Sequence, residues 1–367
     1  MSTSTHSKSH KKLILVIGAT GAQGQAVIDA LLAPDAEGRP SSYAIRALTR
    51  DPTNAFSQEL AKRSGVEVVQ GSFMDFESVA RALEGAYGAW VNTDGFTVGE
   101  AAEIYAGMRI YEVAKRVPSL RHYVWSNLPY VLKNGGFNPD YAADHMNAKG
   151  RVGEWLNAQP SGLGEELTWS QVTTGPYMET LNAGLFGPLN VREDGTVVFA
   201  APLKDGHVPF IALKDLGWWA RYTFDHRAET SGRDLNINSE SVYWDDLVNT
   251  FTKVTGLPAV YKRLSIEEYF SVFEAEKLDA PLASEKRRGD GEGSKTVGDN
   301  FKAFLRVWRD DIVDKDMEWI RSVHPGTYTL ERWMRETGYD GKAGSVLKNT
   351  LEGKMEFGYR KEVASLL

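Results

Sequence analysis

The sequence predicts an α/β fold: a doubly wound parallel sheet with a smaller α+β subdomain beside it. Two observations carry this. Strand-like apolar runs alternate with helical patterns over the first 180 residues, and a glycine-rich turn joins the first strand to the first helix.

The first strand is Leu13-Ile14-Leu15-Val16-Ile17, five apolar residues in a row, as in a buried parallel strand. The turn Gly18-Ala19-Thr20-Gly21-Ala22-Gln23-Gly24 follows, and Gln25 to Leu32 carries helical spacing. This order aims a helix N-terminus, with unpaired N–H groups and a favourable dipole, at whatever sits in the turn; a phosphate suits that place. The spacing Gly18-x-x-Gly21-x-x-Gly24 is wider than G-x-G-x-x-G. It resembles the form used by atypical and extended short-chain dehydrogenase/reductases. A turn kept only for close packing is the competing reading; the strand–turn–helix context favours a dinucleotide and a Rossmann-type sheet.

The second strand, Tyr43 to Thr49, ends in Arg50, then Asp51-Pro52. A guanidinium there suits a ribose 2′-phosphate, whereas an acid would serve a 2′-hydroxyl. Asp51 is the competing residue, but beside a proline it reads as the start of the next helix. The expected cofactor is therefore NADP(H). The loop 33–42 is long and polar, which explains the wide spacing from the glycine turn to Arg50.

Strand three is Val66 to Gln70, followed by a helix over Phe76–Leu83. Strand four lies within Gly85 to Thr93, a long helix covers Glu100–Val117, and strand five is Arg121 to Ser126. A helix over Asp144–Leu156 precedes strand six, Leu167 to Val172. Ligands in such sheets sit beyond the C-terminal strand ends. Gly18, Arg50, Gly71, Asn92, Thr93, Ser126, Thr173 and Thr174 should therefore line one crevice.

After about residue 180 the pattern changes. Short strands (196–199 and 208–211) alternate with helices starting near Lys214 and Trp244, and Leu235 to Asn238 is placed to return to the main sheet. The expected organisation is a disordered tail over 1–11, a dinucleotide-binding unit over 12–180, and an interleaved smaller unit over 181–367 with a helical C-terminal extension. Ser284 to Lys295, rich in charge and glycine, reads as a solvated surface loop.

Composition bounds the functional class. The 367 residues are 42% hydrophobic and 25% charged, as in a globular chain. A net charge of −7 argues against general nucleic-acid binding, and no apolar run approaches membrane-spanning length. The apolar run near the N-terminus is too short for a leader. With no cysteine, disulfides, thiolate catalysis and cysteine-based zinc sites are excluded, and no metal is expected.

The chain resembles the NmrA-like family of atypical short-chain dehydrogenase/reductases, in particular its redox-sensor-like branch. The matching stretches are GATGAQGQAV, ALTRDP, EVVQGSFMD, WVNTDGF, YVWSNLP, HMNAKGRVGEWL, GPYMETL and the C-terminal DKDMEWIRSVHPGTYTLERWM, so the likeness spans roughly residues 12–340. It implies that NADP(H) is held by Gly18, Thr20, Gly21, Ala22, Gln23, Gly24, Arg50, Asn92, Thr93, Lys149, Tyr177, Met178 and Glu179, to which Asp75 of EVVQGSFMD is added. It also implies a cytoplasmic or nuclear protein with NADP(H), a protein partner or a small apolar substrate as its ligands, and a homodimer as one open oligomeric state.

Ordinary short-chain reductases use Tyr-x-x-x-Lys on one helical face. Here the pair is His145-x-x-x-Lys149, and Tyr141 lies one turn earlier. Ser126 stands where the usual active-site serine does. Three readings stay open: His145 as an alternative acid, Lys149 acting alone, or no acid at all, with Lys149 gripping the nicotinamide ribose. The missing tyrosine tilts the reading toward an NADP(H)-binding regulator or redox sensor. The alternative is a reductase of a carbonyl, imine or activated alkene. Trp218, Trp219, Tyr222, Trp244, Trp308, Trp319 and Trp333 either line an apolar pocket or, more in keeping with large aromatics, fill the core.

Overall fold

The computed structural model describes residues 11–164, 166–182, 185–283, 295–352 and 358–367. The tail expected over 1–11 lies outside them except for Lys11, and the loop expected over 284–295 except for Lys295.

The strands β1 (Lys12–Ile17), β2 (Tyr43–Thr49), β3 (Val66–Gln70), β4 (Gly88–Val91), β5 (His122–Asn127) and β6 (Thr168–Thr173) build the main sheet. The smaller unit adds β7 (Asn190–Val191), β8 (Val197–Ala201), β9 (His207–Phe210), β10 (Arg233–Asn236), β11 (Glu240–Tyr243) and β12 (Ala259–Arg263). The main sheet has seven strands in the order β3-β2-β1-β4-β5-β6-β10, all parallel. The strand order reverses between β1 and β4, and a crevice opens at such a point. β10 is the segment expected to return to the sheet; it pairs with β6 from Arg233 opposite Ser170 to Asn236 opposite Thr173.

The apolar run of β1 serves two cores at once, because side chains alternate across a strand. Ile14 and Val16 pack with Val27, Ile28, Trp90, Val124, Trp219 and Phe224 on one face. Leu15 and Ile17 pack with Val79, Leu83, Tyr111, Trp125, Val152 and Trp169 on the other. The first face is covered by the helices Ala22–Leu32 and Leu213–Asp225. Their backbones approach closely at Gly217, where an added Cβ would stand 2.4 Å from the carbonyl oxygen of Ala26. Arg221 donates from Nη1 to the carbonyl oxygens of Ala30 and Ala33, placing a cation on the C-terminal end of the first helix. The opposite face carries the helices Phe76–Leu83, Glu100–Ala114 and Asp144–Asn157.

A third core belongs to the smaller unit, where β7, β8 and β12 form one small sheet and β9 and β11 another. Trp244, Trp308 and Trp333 lie in this core, and Trp219 lies in the sheet core. Trp218 and Trp319 are partly buried beside Trp219. Of the seven aromatics considered for an apolar pocket, only Trp308 also lines the large cavity described next. Among the described residues no helix is long and apolar enough to cross a membrane.

Candidate functional site

A cavity of about 1030 Å³ opens at the C-terminal ends of the parallel strands. Gly18, Arg50, Gly71, Asn92, Thr93, Ser126 and Thr174 all line it, as the strand-end argument expects. Thr173 does not: its hydroxyl donates to Asp234, and it borders a separate, smaller cavity.

The polar end is built on the glycine turn. Gly18 has φ +82°, a left-handed conformation that favours glycine, and an added Cβ would stand 2.8 Å from the carbonyl oxygen of Asn92. Gly21 begins the Ala22–Leu32 helix, and no side chain caps that end. Thr20, Gly21, Ala22 and Gln23 line the cavity, so the first helical amides face it. Gly24 does not line it. An added Cβ there would lie 2.3 Å from the carbonyl oxygen of Gly18, so the third glycine lets the helix sit against its own turn.

Arg50 projects into the same end, exposed, with no hydrogen bond or ion pair to another described residue. Asp51 accepts from the amide and hydroxyl of Thr53 at 2.8 and 2.6 Å. It closes a turn before the Ala55–Ala61 helix, as its place beside proline suggests.

Three expected cofactor residues are engaged elsewhere. Asp75 caps the Phe76–Leu83 helix through the amides of Glu77 and Ser78. Met178 is fully buried in the smaller unit. Glu179 accepts from the Leu213 amide and the Trp333 indole at 3.2 and 3.3 Å, and burial pushes its carboxyl up. None of the three lines the cavity. Adjacency in sequence to a cavity residue does not fix which way a side chain points.

At the middle of the cavity stands Lys149, 8% exposed. Its Nζ donates to Asn92 Oδ1 at 3.0 Å, to the Thr93 carbonyl at 3.0 Å and to Thr93 Oγ1 at 3.3 Å, which uses its three N–H bonds. Glu103, fully buried, lies 3.4 Å from the same nitrogen and accepts the Thr93 hydroxyl at 2.6 Å. Sequence reasoning missed Glu103, since a lone acid in an amphipathic helix reads as solvated surface. Ser126 donates to Gln23 Oε1 at 2.7 Å, and Gln23 Nε2 in turn reaches the Tyr177 hydroxyl at 3.4 Å. All three line the cavity.

The far end is aromatic. His145, one helical turn before Lys149, stacks on Phe96 with centroids 4.8 Å apart and packs against Phe301 and Phe304. Burial among these rings lowers its pKa to about 4, against the pull of the Asn300 hydrogen bond. The imidazole is neutral at pH 7 and is no stocked acid. Phe96, Met146, Leu185, Phe186, Phe301, Phe304 and Trp308 line this compartment. Tyr141 is not part of it; its hydroxyl donates to Asp310 Oδ2 at 3.1 Å. Among the described residues no group of three or more His, Asp or Glu side chains is placed to hold a metal ion.

A further segment lines the cavity that the sequence reading did not place there. Ala343, Gly344, Ser345, Leu347, Lys348 and Thr350, from near the C-terminus, run past the glycine turn.

Residues 10–288 match the model of the NmrA-like family. The chain is 29% identical over 284 residues to the NmrA-like family domain-containing oxidoreductase himF of Aspergillus japonicus, covering 74% of this chain and 80% of himF. It is 35% identical over 262 residues to the oxidoreductase ptmS of Penicillium ochrochloron, covering 67% and 74%. The solved structure of NmrA, a negative transcriptional regulator in complex with NADP, superposes with a TM-score of 0.66 at 21% identity, covering 89% of this chain and 95% of that one. With most of its length matched by the family model and a sheet that superposes on NmrA, this chain belongs to the NmrA-like family.

Proposed function

We propose that this protein binds NADP(H) across the glycine turn and reduces a compact apolar electrophile (a carbonyl, imine or activated alkene) seated in the aromatic compartment. One observation carries the reading: a single cavity joins the uncapped helix N-terminus and Arg50 to an aromatic enclosure, with Lys149 at the junction. The oxidoreductase names of himF and ptmS and the NADP complex of NmrA support it.

NADPH supplies a hydride; the chain supplies the rest. The helical amides and Arg50 bind phosphate oxygens. Lys149 holds the ribose, and its Nζ is the proton source between the two compartments, reaching substrate oxygen or nitrogen by releasing Asn92 or Thr93. His145, neutral and stacked, shapes the wall.

A redox-sensing regulator is the second reading. It is favoured by the state of the helix pair: Lys149 has its donors engaged and His145 holds no proton to give at pH 7. NmrA itself is a transcriptional regulator. That reading adds a protein partner and a cytoplasmic or nuclear location.

The test is NADPH consumption by purified protein over a panel of carbonyls, imines and enones. Turnover lost in Lys149→Ala supports the reductase. Tight NADPH binding without turnover, with protease sensitivity at the cleft changed by cofactor, supports the regulator. Failure to bind either dinucleotide overturns both.

A further inference from the structure

The segment that follows Tyr339 returns to the cofactor end of the sheet. It is pinned at two points. The buried Tyr339 donates its hydroxyl to the Leu181 carbonyl at 3.0 Å, and the Gly344 amide donates to the Asn182 carbonyl at 2.7 Å. Both acceptors belong to the short 3₁₀ helix Met178–Asn182 that follows β6. From there Lys348 reaches into the cavity. Its Nζ donates to Thr20 Oγ1 at 3.0 Å, across 328 positions of sequence. The same nitrogen lies 5.6 Å from the Phe56 ring centre, in the first helix after β2. It also forms an ion pair with Glu352 Oε1 at 3.7 Å, one helical turn on. The side chain is only 18% exposed.

Lys348 therefore bridges two places at once: the glycine turn, through Thr20, and the Ala55–Ala61 helix after β2, through the Phe56 ring, on the same side of the cavity as Arg50. Within the chain the ammonium has one neutral hydrogen bond, to Thr20, and a loose ion pair at 3.7 Å, to Glu352, whereas a phosphate oxygen would give it a direct charge-assisted bond. We infer that Lys348 is a dinucleotide-binding residue, a second phosphate cation opposite the helix N-terminus, supplied by a C-terminal segment that straps the cofactor in place. The inference rests on the dinucleotide reading above. Lys348 lies beyond residue 288, where the family-model match ends.

The experiment titrates NADPH and NADH into the full chain and into Lys348→Ala, Lys348→Gln and Lys348→Arg, following quenching of intrinsic tryptophan fluorescence, with circular dichroism as the check on folding. Lys348→Ala and Lys348→Gln should each weaken NADPH about tenfold, and Lys348→Arg should restore most of the loss. Glutamine can still bond Thr20 but carries no charge, so it separates a tether from a phosphate cation. An equal loss for NADH places the contact on the pyrophosphate; a loss confined to NADPH places it on the 2′-phosphate; either supports the inference. Wild-type affinity in Lys348→Gln, with a wild type that binds, overturns it and leaves the dinucleotide reading intact. A wild type that binds neither dinucleotide overturns that reading, and this inference with it.

Discussion

Glu103 and Lys149 stand 3.4 Å apart beneath the end of β4, the carboxylate wholly out of solvent. The pair is tied to the strand end by Thr93, which gives its hydroxyl proton to Glu103 and accepts from Lys149 through both of its oxygens. Gly95 completes the fit: a Cβ there would lie 2.1 Å from Glu103 Oε2. The position of the lysine is thus set by three elements of the fold.

Removing the acid should show this. Glu103→Leu leaves a nearly buried ammonium without its counter-charge, and about 3 kcal/mol of stability should be lost. Urea unfolding at neutral pH measures it. A midpoint within error of wild type would mean that Asn92 and Thr93 alone satisfy Lys149.

Arg50→Ala should separate the two nicotinamide dinucleotides. NADPH affinity should fall about ten- to a hundredfold, the worth of one charge-assisted contact, while NADH affinity holds. An unchanged preference removes Arg50 from the phosphate site.

The second and third glycines of the turn should respond differently. At Gly24 an added methyl meets backbone at 2.3 Å, so Gly24→Ala should cost about 2–3 kcal/mol of stability. At Gly21 the nearest atom to an added Cβ is at 3.4 Å, so Gly21→Ala should fold normally and lose dinucleotide affinity instead. Thermal unfolding set beside NADPH titration distinguishes the two, and a stable Gly24→Ala would falsify the packing role.

Stability should fall in mild acid. His122, fully buried beside Thr168, has its pKa lowered to about 3, chiefly by burial. Between that value and the ordinary 6.5 the unfolded chain takes up a proton that the native chain refuses, so stability decreases as pH falls below about 6.5. This one group should cost about 2 kcal/mol between pH 7.5 and pH 5. Denaturant midpoints across that range in wild type and His122→Gln measure it; equal slopes in the two proteins would acquit His122. For the same physical reason no limb near pH 6.5 from His145, lowered to about 4, should appear in a pH–rate profile.

The sheet was legible because its signals are local. The runs in β1, β2 and β3 and the spacing of the Phe76–Leu83 helix can be read within a dozen residues, and the strand ends then fall into one crevice by topology alone. Side-chain direction was not legible. Asp75, Met178 and Glu179 sit beside cavity residues in sequence and turn into a helix cap, a core and a second cap. The seven aromatics read mainly as core do fill it, with Trp308 alone among them also reaching the cavity; that Phe96, Phe186, Phe301 and Phe304 wall the compartment was not legible, because composition says nothing of which rings face a void. The contact of Lys348 with Thr20 joins the two ends of the chain, and no periodicity encodes it.

The placement of β10 bears on how this protein can be cut. β6 is bonded on both sides only because Arg233–Asn236 returns from the far side of residue 180, and the first helix is covered only because Leu213–Asp225 returns with it. A chain ending near 180 would leave β6 as a bare sheet edge and expose the apolar flank of Val27 and Leu31. Both are invitations to self-association. A fragment ending near residue 180 should therefore associate or fail to fold on its own, rather than survive as a stable dinucleotide-binding piece.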